Sequence, residues 1–221
     1  MIWDKTTVDM IIKGILETFF MTFASSFTAY LIGIPLGLAL VVTDKDGIKP
    51  FSILNAALGI IINLIRSVPF LILLIMVTPI TKALVGTTIG VKGVIPPLVM
   101  CAAPYIARMV ESSIKEVDYG VIEAAKSMGA STLQIIVKVL LPEAKPSLLI
   151  GAAISITTIL GYSAMAGFVG GGGLGTIAIN YGYYRYETDI MLVTVVLLVI
   201  IVQLIQETGM RFSKFTDKRI R

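Results

Sequence analysis

Histidine is absent from this 221-residue chain, and cysteine occurs once, at Cys101. The first absence removes imidazole metal sites together with Ser–His and Cys–His catalysis. The second leaves no internal partner for a disulfide. Charge is scarce as well: 14% of the residues are Asp, Glu, Lys or Arg, against 56% hydrophobic. Soluble domains carry about 25% charged and roughly 45–50% apolar residues. At a mean hydropathy of +0.92, a water-soluble globule would have more apolar surface than it could hide. Disorder is excluded by the same figures. No G-x-x-x-x-G-K-[ST] occurs, so the chain has no phosphate-cradling loop of that type. No paired carboxylates lie within the apolar runs, which weighs against a proton-coupled carrier. What remains is a membrane protein without a catalytic, metal or cofactor site of its own.

The long hydrophobic runs give its organisation. Thr18–Val42 is uncharged, and its 25 residues at about 1.5 Å each exceed a hydrocarbon core of roughly 30 Å. Asp4, Asp9 and Glu17 precede it, which does not suit a signal peptide, so a retained first span is expected. Pro50–Thr81 is interrupted only by Arg66; either half alone is too short to cross, so one long helix bent near Pro69 is predicted. Val91–Ala107 forms a third run, and a fourth opens after Pro146, with Gly170–Gly173 expected to end its helix and begin an external loop. Ile190–Gln206 is the fifth. The predicted fold is all-α and polytopic, a single domain over residues 1–221 with spans near 18–42, 51–80, 91–110, 147–168 and 190–208.

Charge decides the expected orientation. Of the 18 Lys and Arg, twelve fall in the connections after the first and third spans and in the C-terminal tail, five in the N-terminal arm and the connections after the second and fourth spans, and Arg66 lies within the second run. The positive-inside rule then places the N-terminus outside and the C-terminus in the cytoplasm. The net charge of +4 belongs beside the membrane surface, and no nucleic-acid partner is expected.

The longest predicted cytoplasmic connection, about residues 112–145, has its own pattern. Glu123-Ala124-Ala125 opens a small-sided helical turn and Gly129 stops it. Ser131 is placed to cap a second helix, with Leu133, Ile136, Val137 and Leu140 on its apolar face and Pro142 at its end. Small residues at Ala124, Ala125 and Gly129 would let another protein's groove approach the backbone; a connector packed on its own bundle is the alternative. Glu123-Ala124-Ala125, three residues, Gly129, nine residues, Val139, one residue and Leu141-Pro142 resembles the EAA loop of the membrane subunits of ABC importers, with Val139 where that family has Ile. The resemblance implies a type I importer permease fold and a coupling helix docked on a separate cytoplasmic ATPase. Glu123, Ala124, Ala125, Met128, Gly129, Leu141 and Pro142 are then the docking candidates.

A narrower likeness, to the membrane subunits of methionine importers, runs through Arg66-Ser67-Val68-Pro69-Phe70, Ala103–Glu111, Gly161–Gly167, Gly170–Gly175 and Tyr181–Tyr186. It implies a homodimer embedded in lipid, two ATPase subunits that bind the ATP and Mg, and an external methionine-binding protein or lipoprotein. The cargo implied is methionine of either hand, moved by alternating access. An importer for another amino acid or small organic substrate stays open, as do an ATP-independent channel or carrier and a scaffold.

Other residues carry expectations of their own. Arg66 is a lone charge in its run, and an unpaired charge at mid-membrane costs about 2.5 kcal/mol or more; a structural pairing, or a hinge with Pro69, is expected ahead of substrate contact. On the fourth span Ser155, Thr158, Tyr162 and Met165 fall within an arc of about 80°, a stripe suited to a translocation pathway with Met165 as an apolar gate. Gly33 and Gly37 form a GxxxG pair expected to mediate tight packing. Gly170, Gly172 and Gly175 match G-x-G-x-x-G, but after a membrane helix and not a strand, so dinucleotide binding is not expected. Tyr181, Tyr183, Tyr184 and Tyr186 suit an outer interfacial belt.

Overall fold

The computed structural model describes residues 4–216; Lys218, Arg219 and Arg221, which enter the orientation argument, lie outside them. Among the described residues there is no strand. The elements are α1 (Lys5–Thr43), α2 (Ser52–Arg66), α3 (Phe70–Met76), α4 (Thr78–Val85), α5 (Gly90–Lys115), α6 (Tyr119–Ser127), α7 (Thr132–Ile135), α8 (Leu141–Met165), α9 (Gly173–Ile177) and α10 (Thr188–Thr216). π turns at Ile136–Leu140 and Ala178–Tyr183 and a 3₁₀ turn at Ala166–Val169 join several of these.

Four helical stretches are long and apolar enough to cross a bilayer, Lys5–Thr43, Gly90–Lys115, Thr132–Tyr183 and Thr188–Thr216, and the pair α2 and α3 makes a fifth if counted as one broken span. Phe20, Phe23, Phe27 and Leu31 repeat along α1 and stand exposed. In water such a stripe would drive aggregation; against acyl chains it meets its own kind.

Where the sequence predicts one bent helix near Pro69, the structure has two helices bent by 101°. The break follows from local chemistry. Proline disfavours helical backbone at Val68 and has no N–H to continue the ladder. The Ser67 hydroxyl donates back to the Asn63 carbonyl at 2.8 Å, closing α2. Pro69 then accepts from Ile72 and Leu73 at 3.0 and 2.9 Å, opening α3.

A second difference lies at Pro142, which does not end a helix: helical turns continue through it from Thr132 to Val169. The Leu141 N–H reaches Ile136 O, five residues back, and this widened turn accommodates the residue that lacks an N–H. Leu140 is buried as expected, but Ile135 joins it in place of Leu133 and Val137, which stand exposed. A third concerns the expected external loop. Gly170, Gly172 and Gly173 do adopt positive φ, but helix α9 and a π turn follow.

The chain divides into two compact units. The first comprises Met1–Thr28, Val68–Ala102 and Ile156–Gln206. Its core gathers Ile11, Leu160, Leu174, Ile177, Ile190 and Ile201. Gly167 and Gly175 let backbones touch: a Cβ on Gly167 would lie 2.5 Å from the Gly175 carbonyl carbon. The second comprises Ala29–Ser67, Ala103–Ser155 and Glu207–Arg221, with Leu40, Ile62 and Ala107 in its core. Here the GxxxG pair packs as expected. A Cβ on Gly33 would lie 2.7 Å from Ile106 Cγ2, and one on Gly37 2.6 Å from the Ala107 carbonyl oxygen.

Candidate functional site

Helix α6 is defined at both ends by its own sequence. The Asp118 carboxylate accepts from the Gly120 N–H at 2.7 Å and caps the start. At the other end Gly129 takes φ +80, and two bonds seal the helix: Gly129 N–H to Lys126 O at 2.9 Å and Ala130 N–H to Ala125 O at 3.1 Å. This is the paired closure that a left-handed glycine makes possible. Two residues later Ser131 and Gln134 form a reciprocal capping box. The Ser131 N–H donates to Gln134 Oε1 at 2.8 Å.

Of the docking candidates, Glu123, Ala124, Met128, Gly129 and Pro142 are exposed and Leu141 is half-buried. Ala125 differs: it is 4% exposed, so it supports α6 from beneath and presents no surface. Met128, by contrast, is 81% exposed, a large apolar side chain held out by a two-helix element whose ends are both capped.

The same unit contains a chain of charges that single-residue reading did not assemble. Arg108 Nη1 pairs with Glu111 Oε2 at 2.7 Å, and Glu111 Oε1 with Lys115 Nζ at 2.9 Å. Lys115 continues to Asp44 Oδ2 at 2.6 Å. Arg108 Nη2 also donates to Gly59 O at 3.2 Å and Asn63 Oδ1 at 3.0 Å. The network thereby ties α5 to α2 and to the turn after α1. Lys115 beside Asp44 holds that carboxyl below its ordinary pKa. The spacing of Arg108, Glu111 and Lys115, i, i+3 and i+7, was the available signal; the contribution of Asp44 had none.

Arg66 ends α2, where a cation favours the helix dipole. It is exposed, and no ion pair among the described residues involves it. Pro69 is the residue from which α3 starts. The predicted pathway stripe divides. Ser155 is buried and donates to Gly151 O at 2.7 Å, a packing arrangement within its own helix. Tyr162 stacks on Phe70, with centroids 4.8 Å apart and 13° between planes. Thr158 is half-buried and Met165 is 45% exposed.

The glycine pattern at 170–175 is already satisfied. Glu17 Oε2 accepts from the Gly173 N–H at 2.8 Å and Thr18 Oγ1 from the Leu174 N–H at 2.9 Å. A carboxylate stands where a phosphate would have to bind. Tyr183, Tyr184 and Tyr186 are exposed, and the Arg185 guanidinium lies 4.4 Å over the Tyr181 ring.

Apolar helices with glycine crossings, a broken span and a capped helical element between spans are the parts of a multi-pass membrane subunit. The chain belongs to the family of binding-protein-dependent transport system inner membrane components, whose model matches residues 29–221, and so resides in the cytoplasmic membrane. It is 46% identical over 217 residues to the Vibrio cholerae protein named "Probable D-methionine transport system permease protein MetI", covering 98% of this chain and 96% of that one. It is 44% identical over 180 residues to the Bacillus subtilis protein named "Methionine import system permease protein MetP", 81% of each chain. A solved structure of the MetNI methionine ABC transporter in inward-facing conformations matches with a TM-score of 0.96 at 45% identity, covering 97% of this chain and 100% of that one.

Proposed function

We propose that this chain is the membrane subunit of an ATP-driven importer that moves methionine into the cell. Two copies form the path, two ATPase subunits bind the nucleotide and Mg, and an external binding protein delivers the substrate. The N-terminus lies outside and the C-terminus in the cytoplasm. The observation that carries the coupling role is the α6–α7 element, capped at both ends, with Glu123, Ala124, Met128 and Gly129 exposed. A rigid helix presenting small side chains and one large apolar one suits a groove on a motor subunit.

Mechanism follows from rigidity. The π turn and α8 continue from α7 without a break, so displacement of the docked element is passed to the span as a lever and not absorbed by a loop. Thr158, Tyr162 and Met165 line the path on that span, with Met165 as its apolar gate; Ser155 packs the helix behind them. The break at Pro69 serves as a hinge whose stacked Phe70–Tyr162 pair follows the same span.

Reconstitution with the ATPase and the binding protein tests this reading. Methionine uptake should depend on ATP. Gly129→Asp, which puts an L side chain at positive φ and a charge on the docking face, should abolish uptake while the protein still inserts. Unchanged uptake in Gly129→Asp would remove the docking assignment, and absence of ATP-dependent methionine uptake by the unmodified complex would remove the substrate.

A further inference from the structure

A cavity of about 360 Å³ lies within the second unit, bordered by Arg66, Tyr105, Met109, Ser112, Glu116 and Ile150 among others. That volume is in the range of small-molecule sites, roughly 300–1,000 Å³. Its charges are of two kinds. Arg108, also on the wall, commits its Nη1 to Glu111 and its Nη2 to Gly59 and Asn63. Arg66 and Glu116 border the same space, both exposed, and neither joins an ion pair among the described residues. Met109, Ile150 and Ile154 supply apolar wall, while Ser112, Ser113, Ser147 and Tyr105 supply hydroxyls.

We infer that this cavity is a transit site for a zwitterionic α-amino acid with an apolar side chain. The Arg66 guanidinium receives the carboxylate, Glu116 receives the ammonium group, and the Met109–Ile150–Ile154 wall takes the side chain. Guanidinium matches carboxylate geometry through two parallel donors. A simple anion such as phosphate would meet the Glu116 carboxylate, and a simple cation would meet two guanidinium groups. A molecule carrying both charges satisfies both walls. The site also gives a partner to Arg66, which no ion pair among the described residues engages. This inference rests on the proposed import of methionine and places a substrate-contacting site for it within the permease.

The test uses the full complex with its ATPase, carrying a cysteine at Ser112 or, separately, at Ile150; the native Cys101 is buried. The rate of modification by a charged thiol reagent is followed as L-methionine is added. Methionine should slow modification at both positions, and methionine methyl ester, which lacks the carboxylate, should do so far less. Arg66→Gln should raise the methionine concentration needed for half-protection about tenfold or more, since at least one charge-assisted hydrogen bond of the fork is lost, and Arg66→Lys should recover part of it. Equal protection by methionine and its ester, protection indifferent to Arg66→Gln, or protection by added phospholipid in place of methionine would each overturn the site. Uptake by the complex without the cysteines reports separately on the import reading, so the two failures are distinguishable.

Discussion

In the unit of Met1–Thr28, Val68–Ala102 and Ile156–Gln206, backbone approaches backbone. Gly167 meets Gly175, and Glu17 and Thr18 of α1 take up the first N–H groups of α9. In the unit of Ala29–Ser67, Ala103–Ser155 and Glu207–Arg221, long charged side chains span the gaps: Arg108, Glu111, Lys115 and Asp44 form one chain, beside cavities of about 380 and 360 Å³. Contacts between glycine backbones have one close-packed arrangement and tolerate no side chain. Charges on flexible stems can exchange partners as helices shift. Both units contain glycine contacts, Gly33 and Gly37 supplying them in the second, but only the second adds a chain of charges on flexible stems, and it carries the α6–α7 element.

Mutation can break that contrast. The largest loss should follow Glu111→Ala, because Arg108 and Lys115 lose their shared carboxylate, whose side chain is only 12% exposed. The cations left behind are partly exposed, and a hydrogen bond to a charged group is worth about 1.5–3 kcal/mol, so a clear drop in the unfolding midpoint in detergent is expected, with Glu111→Gln recovering part of it. Gly175→Val should come next, at about 1–3 kcal/mol, since its Cβ would collide with the Ala164 backbone. Its penalty should be indifferent to salt, and a salt-dependent penalty would contradict the steric account. Glu17→Ala leaves the Gly173 N–H without its acceptor at a partly exposed position; about 1 kcal/mol is expected, read as faster hydrogen exchange at Gly173 and Leu174.

Asp44→Asn should have the smallest effect, under about 1 kcal/mol, because its partner Lys115 is 48% exposed. Its pH dependence has a definite sign. Lys115 depresses the folded-state pKa of Asp44 below the unfolded value of about 3.9. The contribution is therefore complete above that value and lost as pH falls through the depressed pKa. The gap between the midpoints of the unmodified protein and Asp44→Asn should stay constant near neutrality and close below about pH 4; a gap that persists in acid would separate Asp44 from the network.

Much of this architecture is legible in the residues alone. Apolar run lengths mark the spans, Gly129 and Ser131 mark the ends of α6 and the start of α7, and Gly33 and Gly37 mark a tight crossing. These are local signals, carried by backbone preferences and by composition over a few turns. The break at Pro69 was visible in position but not in size, because proline states where a helix weakens and not how far the next one turns. At Pro142 the local rule failed outright: a π turn over Ile136–Leu140 absorbed the missing N–H, and Ile135, not Leu133 or Val137, joins Leu140 in the core.

What sequence determined on its own was membrane residence, the spans, and the capped element between them, since each depends on neighbours within a few turns of the chain. Only tertiary structure decided which charges share a space. Arg66 and Glu116, 50 positions apart, border one cavity because α2 and α5 pack together, and Glu17 caps Gly173 because α1 passes that turn. Electrostatic and hydrogen-bonding energies depend on distance in space, and no periodicity within a single helix encodes it.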